Sequence, residues 1–149
     1  MHSSVENNAR HYYRLHLDPP LCSDMTIVRV NGKTLETGAA SVLIVDLGAG
    51  GLRFQTNLQL PVSPNVVLEF ETIILQQTIK MFGYVVRSIS MSEDLTEYGV
   101  QFTMDEDKIA RLSQLINTMA IRKRQNRTMT GSRFLADNRD EFLSYADPS

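Results

Sequence analysis

SVLIVDLGAGGLRFQT, residues 41–56, is the stretch of this 149-residue sequence on which the interpretation of the rest depends. Residues 41–47 form a nearly continuous apolar run that is rich in β-branched side chains, and residues 51–56 form a second strand-like run. Gly48-Ala49-Gly50 separates the two runs, and glycines at such spacing are typical of a tight turn. The stretch therefore predicts two strands joined by a turn, with the carboxylate of Asp46 near the end of the first strand.

Similar runs, separated by turn signals, occupy the middle of the chain from about residue 20 to residue 104. The further predicted strands cover residues 25–30, 66–75, 78–89 and 97–103, and Gly83 is expected to bend the strand at 78–89 or to form a bulge in it. Asn31-Gly32 indicates a hairpin turn, because both residues tolerate positive φ. About six short strands with no helix between them favour an antiparallel β-barrel, since closure removes exposed sheet edges.

A helix is predicted after the last strand. Asp105 provides its N-cap, and residues 122–124 make its last turn basic. Apolar residues recur at helical spacing: Ile109, Leu112, Ile116 and Met119. This apolar stripe suits either packing over the mouth of the barrel or a homodimer interface.

The chain accordingly divides into three regions. We expect a flexible N-terminal arm over residues 1–14, a barrel with its C-terminal helix over residues 15–125, and a polar tail over residues 126–149. A weak apolar segment within the tail, residues 132–145, suits docking on the barrel or on a partner protein.

Composition argues against several classes of function. The net charge of −2 offers no broad basic face for nucleic acid. Cys22 is the only cysteine and the three histidines are dispersed, so neither a disulfide nor a structural zinc site is expected. The polar N-terminus lacks a signal-peptide core, and no apolar run is long enough to insert in a membrane, which predicts a cytoplasmic protein. Catalytic motifs are absent from the sequence, so we expect neither an enzyme nor a bound cofactor.

Two groups of residues suggest a ligand. Arg10 and Arg14 each carry a planar guanidinium that can donate two parallel hydrogen bonds to phosphate or to the O6/N7 edge of guanine. A carboxylate at a strand end, Asp46, can accept from the N1 and N2 donors of guanine or orient an arginine. Taken singly, the two groups have ordinary explanations, namely solvated arginines and a tight turn.

The glycines beside Asp46 allow the backbone to approach a ligand closely and to adopt positive φ. These glycines are Gly48, Gly50 and Gly51. A dinucleotide-binding loop is excluded, because Arg53 stands where its third glycine is needed and the chain continues as a strand.

In their order and separation, the two groups resemble the signature of the PilZ domain family, RxxxR followed by D/N-x-S-x-x-G. Arg10 and Arg14 match the first half, and residues 46–51 match the second half except that Gly48 replaces the usual serine. The resemblance covers roughly residues 10–125, including a strand that ends in YGVQF at residues 98–102 and the helix that follows.

The resemblance implies a six-stranded antiparallel β-barrel with a C-terminal helix that acts as a receptor for the second messenger cyclic di-GMP (c-di-GMP). By position, Arg10 and Arg14 would clasp guanine edges and phosphates, and Asp46 would recognise guanine, with the glycines bringing the backbone close. Arg87 is a further candidate, facing either the ligand or solvent. The hydroxyl missing at Gly48 should weaken binding by about 1 kcal/mol.

Ligand-driven ordering of the arm would then create a surface for a downstream protein partner. The alternative is a degenerate PilZ-like interaction module that does not bind nucleotide. The sequence does not name the downstream pathway.

Overall fold

A computed structural model describes residues 13–136 and 139–143 of the chain. Residues 1–12, and Arg10 with them, lie outside the described residues. The described elements are β1 (Arg14–Val30), β2 (Lys33–Thr34), β3 (Ala40–Gly48), β4 (Gly51–Thr56), β5 (Val66–Ile74), β6 (Gln77–Ser92), β7 (Leu95–Phe102), α1 (Glu106–Arg124) and α2 (Arg139–Leu143).

Six of the described strands pair into a closed ring. Their order is β1-β3-β4-β7-β6-β5, β5 pairs back onto β1, and each of these pairings is antiparallel. The short strand β2 adds to β1 through a hairpin whose turn residues, Asn31 and Gly32, have φ of 51° and 81°. The ring and the helix after it confirm the predicted fold class.

The inner face of the ring holds a core of large side chains. Phe54 packs edge-on against Phe70 with ring centroids 5.0 Å apart, and the ring centroid of Tyr98 lies 5.5 Å from that of Phe54. The hydroxyl of Tyr98 accepts a hydrogen bond from the Leu60 amide at 2.8 Å and donates one to the Leu58 carbonyl at 3.2 Å. The loop between β4 and β5 is thereby fixed against the core.

Helix α1 adds its apolar stripe to this core. Its Asp105 N-cap accepts from the Lys108 amide at 2.9 Å, as the sequence predicts. The buried residues of the helix are Leu112, Leu115, Ile116, Met119 and Ala120, and they belong to the same cluster as the inner faces of the strands. Core packing is therefore the observed role of the stripe.

Strand β1 begins earlier than the predicted first strand at residues 25–30. It starts at Arg14, which pairs opposite Gly48, and the ladder to β3 is interrupted between His16 and Leu21. Prolines occupy positions 19 and 20 within this interruption. A proline has no amide hydrogen to donate to a strand neighbour, so two prolines in the sequence argue against a strand. The pairing of β1 with β3 nevertheless resumes at Leu21.

The tail docks on the ring where β1 and β5 diverge. The Cys22 amide donates to the Arg133 carbonyl at 2.7 Å, and the Arg133 amide donates to the Ile73 carbonyl at 2.9 Å. Farther along, Leu143 of α2 is buried against Cys22 and Leu43 on the outer face. Of the two predicted docking places for the tail, the barrel is the one observed for these residues.

Strand β6 differs from the prediction in the position of its irregularity. The ladder between β6 and β7 shifts register between Val85 and Arg87, not at Gly83. Gly83 serves a close approach instead, because a Cβ there would collide with the carbonyl oxygen of Gln101 on β7. The bulge at Val86 leaves that residue and Arg87 exposed at the outer surface.

A candidate ligand cleft on the outer face of the ring

Strand register gathers polar side chains on one outer patch of the ring. Asp46 of β3 lies opposite Arg53 of β4, which lies opposite Gly99 of β7, which in turn lies opposite Arg87 of β6. Neighbouring residues on paired strands point to the same face. Since the neighbours of Arg53 along β4 are buried at 0% exposure, this shared face is the outer one.

A cleft of about 170 Å³ lies at this patch. It brings together five of the seven predicted site residues: Arg14, Gly48, Gly50, Gly51 and Arg87. Val86, Gly99, Val100 and Gln101 complete its lining and were not predicted. Arg10 falls outside the described residues, and Asp46 lies immediately beside the cleft, in contact with Arg14.

Asp46 is the centre of a network of charges. Its Oδ2 lies 3.0 Å from Arg53 Nε, 2.9 Å from Arg53 Nη2 and 3.6 Å from Arg14 Nε. Arg53 also reaches Glu97 Oε2 through Nη1 at 3.3 Å, and Gln55 Nε2 donates to Glu97 Oε1 at 3.1 Å. Both carboxylates are nearly buried, with side chains 11% exposed. Arg53 thus fixes the position of Asp46 through a hydrogen bond from Nε and an ion-pair contact from Nη2, both to one oxygen.

The other oxygen of Asp46 has an unmet hydrogen-bonding capacity. Oδ1 is buried and accepts no hydrogen bond from the residues that the structure describes. An unsatisfied buried acceptor is costly, and functional sites are one of the places where it occurs. Oδ1 therefore lacks a donor among these residues, and a ligand would supply one only after displacing the groups that cover this atom.

The patch carries a small excess of positive charge. Arg14, Arg53 and Arg87 contribute three positive charges, and Asp46 and Glu97 contribute two negative ones, which leaves +1. Arg14 and Arg87 border the cleft directly, whereas Arg53 is engaged by the carboxylates. The arrangement suits a ligand that combines anionic groups with hydrogen-bond donors.

The glycines serve close approach of backbones. A Cβ on Gly51 would collide with the carbonyl oxygen of Val100, and a Cβ on Gly48 would lie 2.9 Å from the carbonyl oxygen of Tyr13 and 3.3 Å from Arg14 Cγ. The positive φ that glycine allows is not used in this turn, because the glycines found at positive φ in the described residues are Gly32 and Gly131. Strand pairing, rather than a left-handed turn, requires glycine here.

Sequence reasoning missed Arg53, Gln55 and Glu97 as parts of the site. Arg53 entered it only as the residue that rules out a dinucleotide-binding loop. Alternation along residues 51–56 was the usable signal, because it places positions 53 and 55 on the face opposite the buried Phe54. The same alternation places Glu97 on the outer face, since Tyr98 and Val100 are buried, but its contacts with Arg53 and Gln55 arise only from the pairing of β4 with β7.

Two features are absent from the described part of the chain, a cluster of metal-ligating side chains and a membrane-spanning helix. No group of three or more potential metal-ligating side chains occurs among residues 13–136 and 139–143. Within the same residues no helix has the length and apolar character needed to cross a bilayer.

Comparison with known proteins identifies the family. A family model for the PilZ domain matches residues 8–118, whereas no curated protein matches the chain. Among solved structures, Escherichia coli YcgR in complex with c-di-GMP is similar, with a TM-score of 0.57 at 14% identity over 78% of this chain and 48% of that chain. The Bacillus subtilis inhibitor of motility (MotI/DgrA) gives a TM-score of 0.55 at 16% identity over 78% and 52% of the two chains.

The chain spans about half the length of these two solved proteins, and at such identities the likeness shows the fold. The match to the family model supports more than the fold. It covers residues 8–118, which include both arginines of the RxxxR motif, the whole strand ring and most of α1. The chain belongs to the PilZ domain family.

Proposed function

We propose that this protein is a receptor for c-di-GMP, which binds in the cleft on the outer face of the ring. The observation that carries the proposal is the convergence of Arg14, Arg87 and the glycine backbone of residues 48–51 around one cleft, beside a buried carboxylate of which one oxygen has no hydrogen-bond donor among the described residues. The family match and the complex of YcgR with c-di-GMP support the same ligand.

The chemistry of the ligand fits these groups. A cyclic dinucleotide of guanine carries two phosphates and two bases whose N1 and N2 atoms donate hydrogen bonds. Arg14 and Arg87 suit the phosphates and the O6/N7 edges, because each guanidinium can donate two parallel bonds. Asp46 Oδ1 suits the N1 and N2 donors, while Arg53 holds Oδ2. Arg10 would complete the pair of arginines from the arm.

Ligand binding would be passed on to a partner protein through ordering of the N-terminal arm. Arg14 is the first residue of β1 and pairs opposite Gly48, so the preceding residues enter the fold at the edge of the cleft. Ordering a segment costs about 1 kcal/mol per residue, which the charge-assisted contacts must exceed. The ordered arm would present a new surface to a downstream protein partner. A receptor for this messenger acts by binding, without catalysis, and we expect it in the cytoplasm.

Calorimetric titration with c-di-GMP tests the proposal. We expect binding to the intact chain, affinity at least about tenfold lower in Arg14→Ala and Asp46→Asn, since each removes a charge-assisted contact, and no change in Arg29→Ala. Arg29 is a matched control because it is an exposed arginine of the same strand β1 and lies outside the cleft. Absence of heat with the intact chain, or equal affinity in Arg14→Ala, would refute the proposal.

A second candidate, an interaction module that binds no nucleotide, is favoured by one observation. At Gly48 the serine of the family pattern is missing, and the backbone of Tyr13 lies so close that a Cβ would be 2.9 Å from its carbonyl oxygen. A thermal-shift assay with c-di-GMP, and with GTP as the control nucleotide, separates the candidates. A shift specific to c-di-GMP supports the receptor, and no shift with either nucleotide supports the interaction module.

A further inference from the structure

A second concavity lies between β6 and α1 and shares no residue with the ligand cleft. This groove has a volume of about 490 Å³. One wall consists of the consecutive residues 77–82 of β6. The other wall is formed by residues of α1, namely Lys108, Arg111, Leu112 and Leu115. Six consecutive strand residues can line a groove only where the edge of the strand faces it, because side chains alone would alternate.

The edge of β6 is unpaired along this groove. On one side, β6 pairs with β5 from Gln77 to Gly83. On the other side, pairing with β7 begins only at Gly83, with one further bond from the Thr103 amide to the Phe82 carbonyl at 2.9 Å, after which the chain turns away into α1. Within the described residues, positions 77–81 therefore have a strand neighbour on one side only.

The turn between β5 and β6 determines which backbone groups face the groove. It is a two-residue turn, Leu75-Gln76, with φ of 48° and 68°. In such a hairpin the flanking pair, Ile74 and Gln77, exchanges both hydrogen bonds, and hydrogen-bonded pairs then alternate with open ones. The N–H and C=O groups of Thr78 and Lys80 therefore point away from β5 and into the groove. The outward carbonyl of Phe82, two residues on, follows the same alternation.

The side chains of the groove combine an apolar floor with a basic rim. The floor contains Ile79, Met81, Met104, Leu112 and Leu115, and the rim contains Lys80, Lys108 and Arg111. No carboxylate lines the groove, and within the described residues none of the three cations is in an ion pair. Methionine-rich floors adapt to varied apolar side chains.

We propose that this groove receives an extended acidic segment of a partner protein, which adds to β6 as a further strand. Backbone pairing with Thr78 and Lys80 would supply the hydrogen bonds. Alternate side chains of the added strand would lie over the floor and near the rim, so the best segment alternates apolar residues with Asp or Glu. The free edge is about 17 Å long at ~3.3 Å per residue, enough for five residues.

Charge favours such a partner over a second copy of this chain. If the β6 edges of two copies paired with each other, both basic rims, each with Lys80, would come together, and like charges on paired strands are unfavourable. An acidic strand meets the same rim with opposite charge. The inference does not depend on nucleotide binding in the cleft.

A capped octapeptide of alternating Glu and Val is a direct probe. Upon saturation, amide hydrogen exchange at Thr78 and Lys80, followed by NMR, should slow at least about tenfold, because paired amides exchange more slowly than open ones. In fluorescence anisotropy, the variant Lys80→Glu/Arg111→Glu should bind the labelled peptide at least about tenfold more weakly. Arg124→Glu is the matched control, because it reverses an exposed charge of α1 outside the groove and should leave affinity unchanged.

Three results would overturn the inference. One is equal binding of an octapeptide of alternating Lys and Val, and another is binding without protection of the Thr78 and Lys80 amides. The third is protection that rises with protein concentration in the absence of peptide, which would make a second copy the occupant. The double variant should retain the circular dichroism spectrum of the wild type and its response to c-di-GMP, so a failure here differs from a failure of the proposed ligand.

Discussion

Replacing Arg53 by methionine tests whether the network on the outer face is held by one residue. Arg53 supplies the hydrogen bond and the ion-pair contact to Asp46 Oδ2 and also the contact to Glu97. Methionine keeps an unbranched side chain of comparable length and removes the charge. Both carboxylates, each 11% exposed, would then lose their strongest partner while remaining buried. Among the described residues, Asp46 would keep only Arg14 as an ion-pair partner, at 3.6 Å.

The expected loss of stability in Arg53→Met follows from the burial of the two carboxylates. Removing one partner of a fully buried ion pair costs about 3–5 kcal/mol, because the other charge is left without compensation. Arg53 is itself 32% exposed, and water reaching it screens part of the interaction. We therefore expect Arg53→Met to lower the free energy of unfolding by about 2 kcal/mol. For a chain of this size that corresponds to a fall in Tm of about 4–8 °C.

Urea denaturation followed by circular dichroism measures the change. The midpoint should fall while the slope m stays constant, since the same surface is exposed on unfolding. Arg29→Met is the matched control, an exposed arginine of β1 outside this network, and should change stability by less than about 0.5 kcal/mol. In a double-mutant cycle, Glu97→Gln should cost less in the Arg53→Met background than in the wild type, with a coupling of about 1 kcal/mol.

Unchanged stability in Arg53→Met would refute this reasoning, as would strictly additive effects of Arg53→Met and Glu97→Gln. The first result would mean that water solvates the two carboxylates, and the second that Arg53 and Glu97 do not interact.

Three further substitutions test other contacts, each by urea denaturation. Gly51→Ala should lower stability by about 2 kcal/mol or more, because its Cβ would collide with the Val100 carbonyl and force β4 from β7; an unchanged midpoint would contradict the register. Tyr98→Phe should cost about 1–2 kcal/mol through loss of the two hydrogen bonds of its hydroxyl to the β4–β5 loop, and a neutral effect would show that the loop does not need them. Leu143→Ala should cost about 2–3 kcal/mol if α2 is docked as described, whereas an undocked tail predicts no change.

The sequence located much of the candidate site because its groups are close in the chain. Asp46 and the glycines lie within one hairpin. Because a turn spans only a few residues, they must be close in space once two strands flank that turn. Arg87 was a weaker inference, and the structure brings it to the same cleft. Its placement depends on the register of β6 with β7 and on the bulge at Val86, which no local pattern specifies.

Other features were decided by partners distant in the chain. The early start of β1 depends on β3, whose backbone supplies pairing on both sides of two prolines that locally disfavour a strand. Glu97 is nearly buried because Arg53 and Gln55 cover it from the neighbouring strand. Nothing in the residues beside Glu97 distinguishes it from an exposed carboxylate.

The sequence by itself determined the number of main strands, the helix with its N-cap, and the hairpin that carries Asp46 and the glycines. These follow from periodicity, capping and turn chemistry, which act over a few residues. Only the tertiary structure decided which two strands close the ring, β5 and β1, where the tail docks, and that β6 has a free edge beside α1. The physical reason is that burial and pairing across the ring depend on which strands become neighbours, and that choice is made by the whole chain.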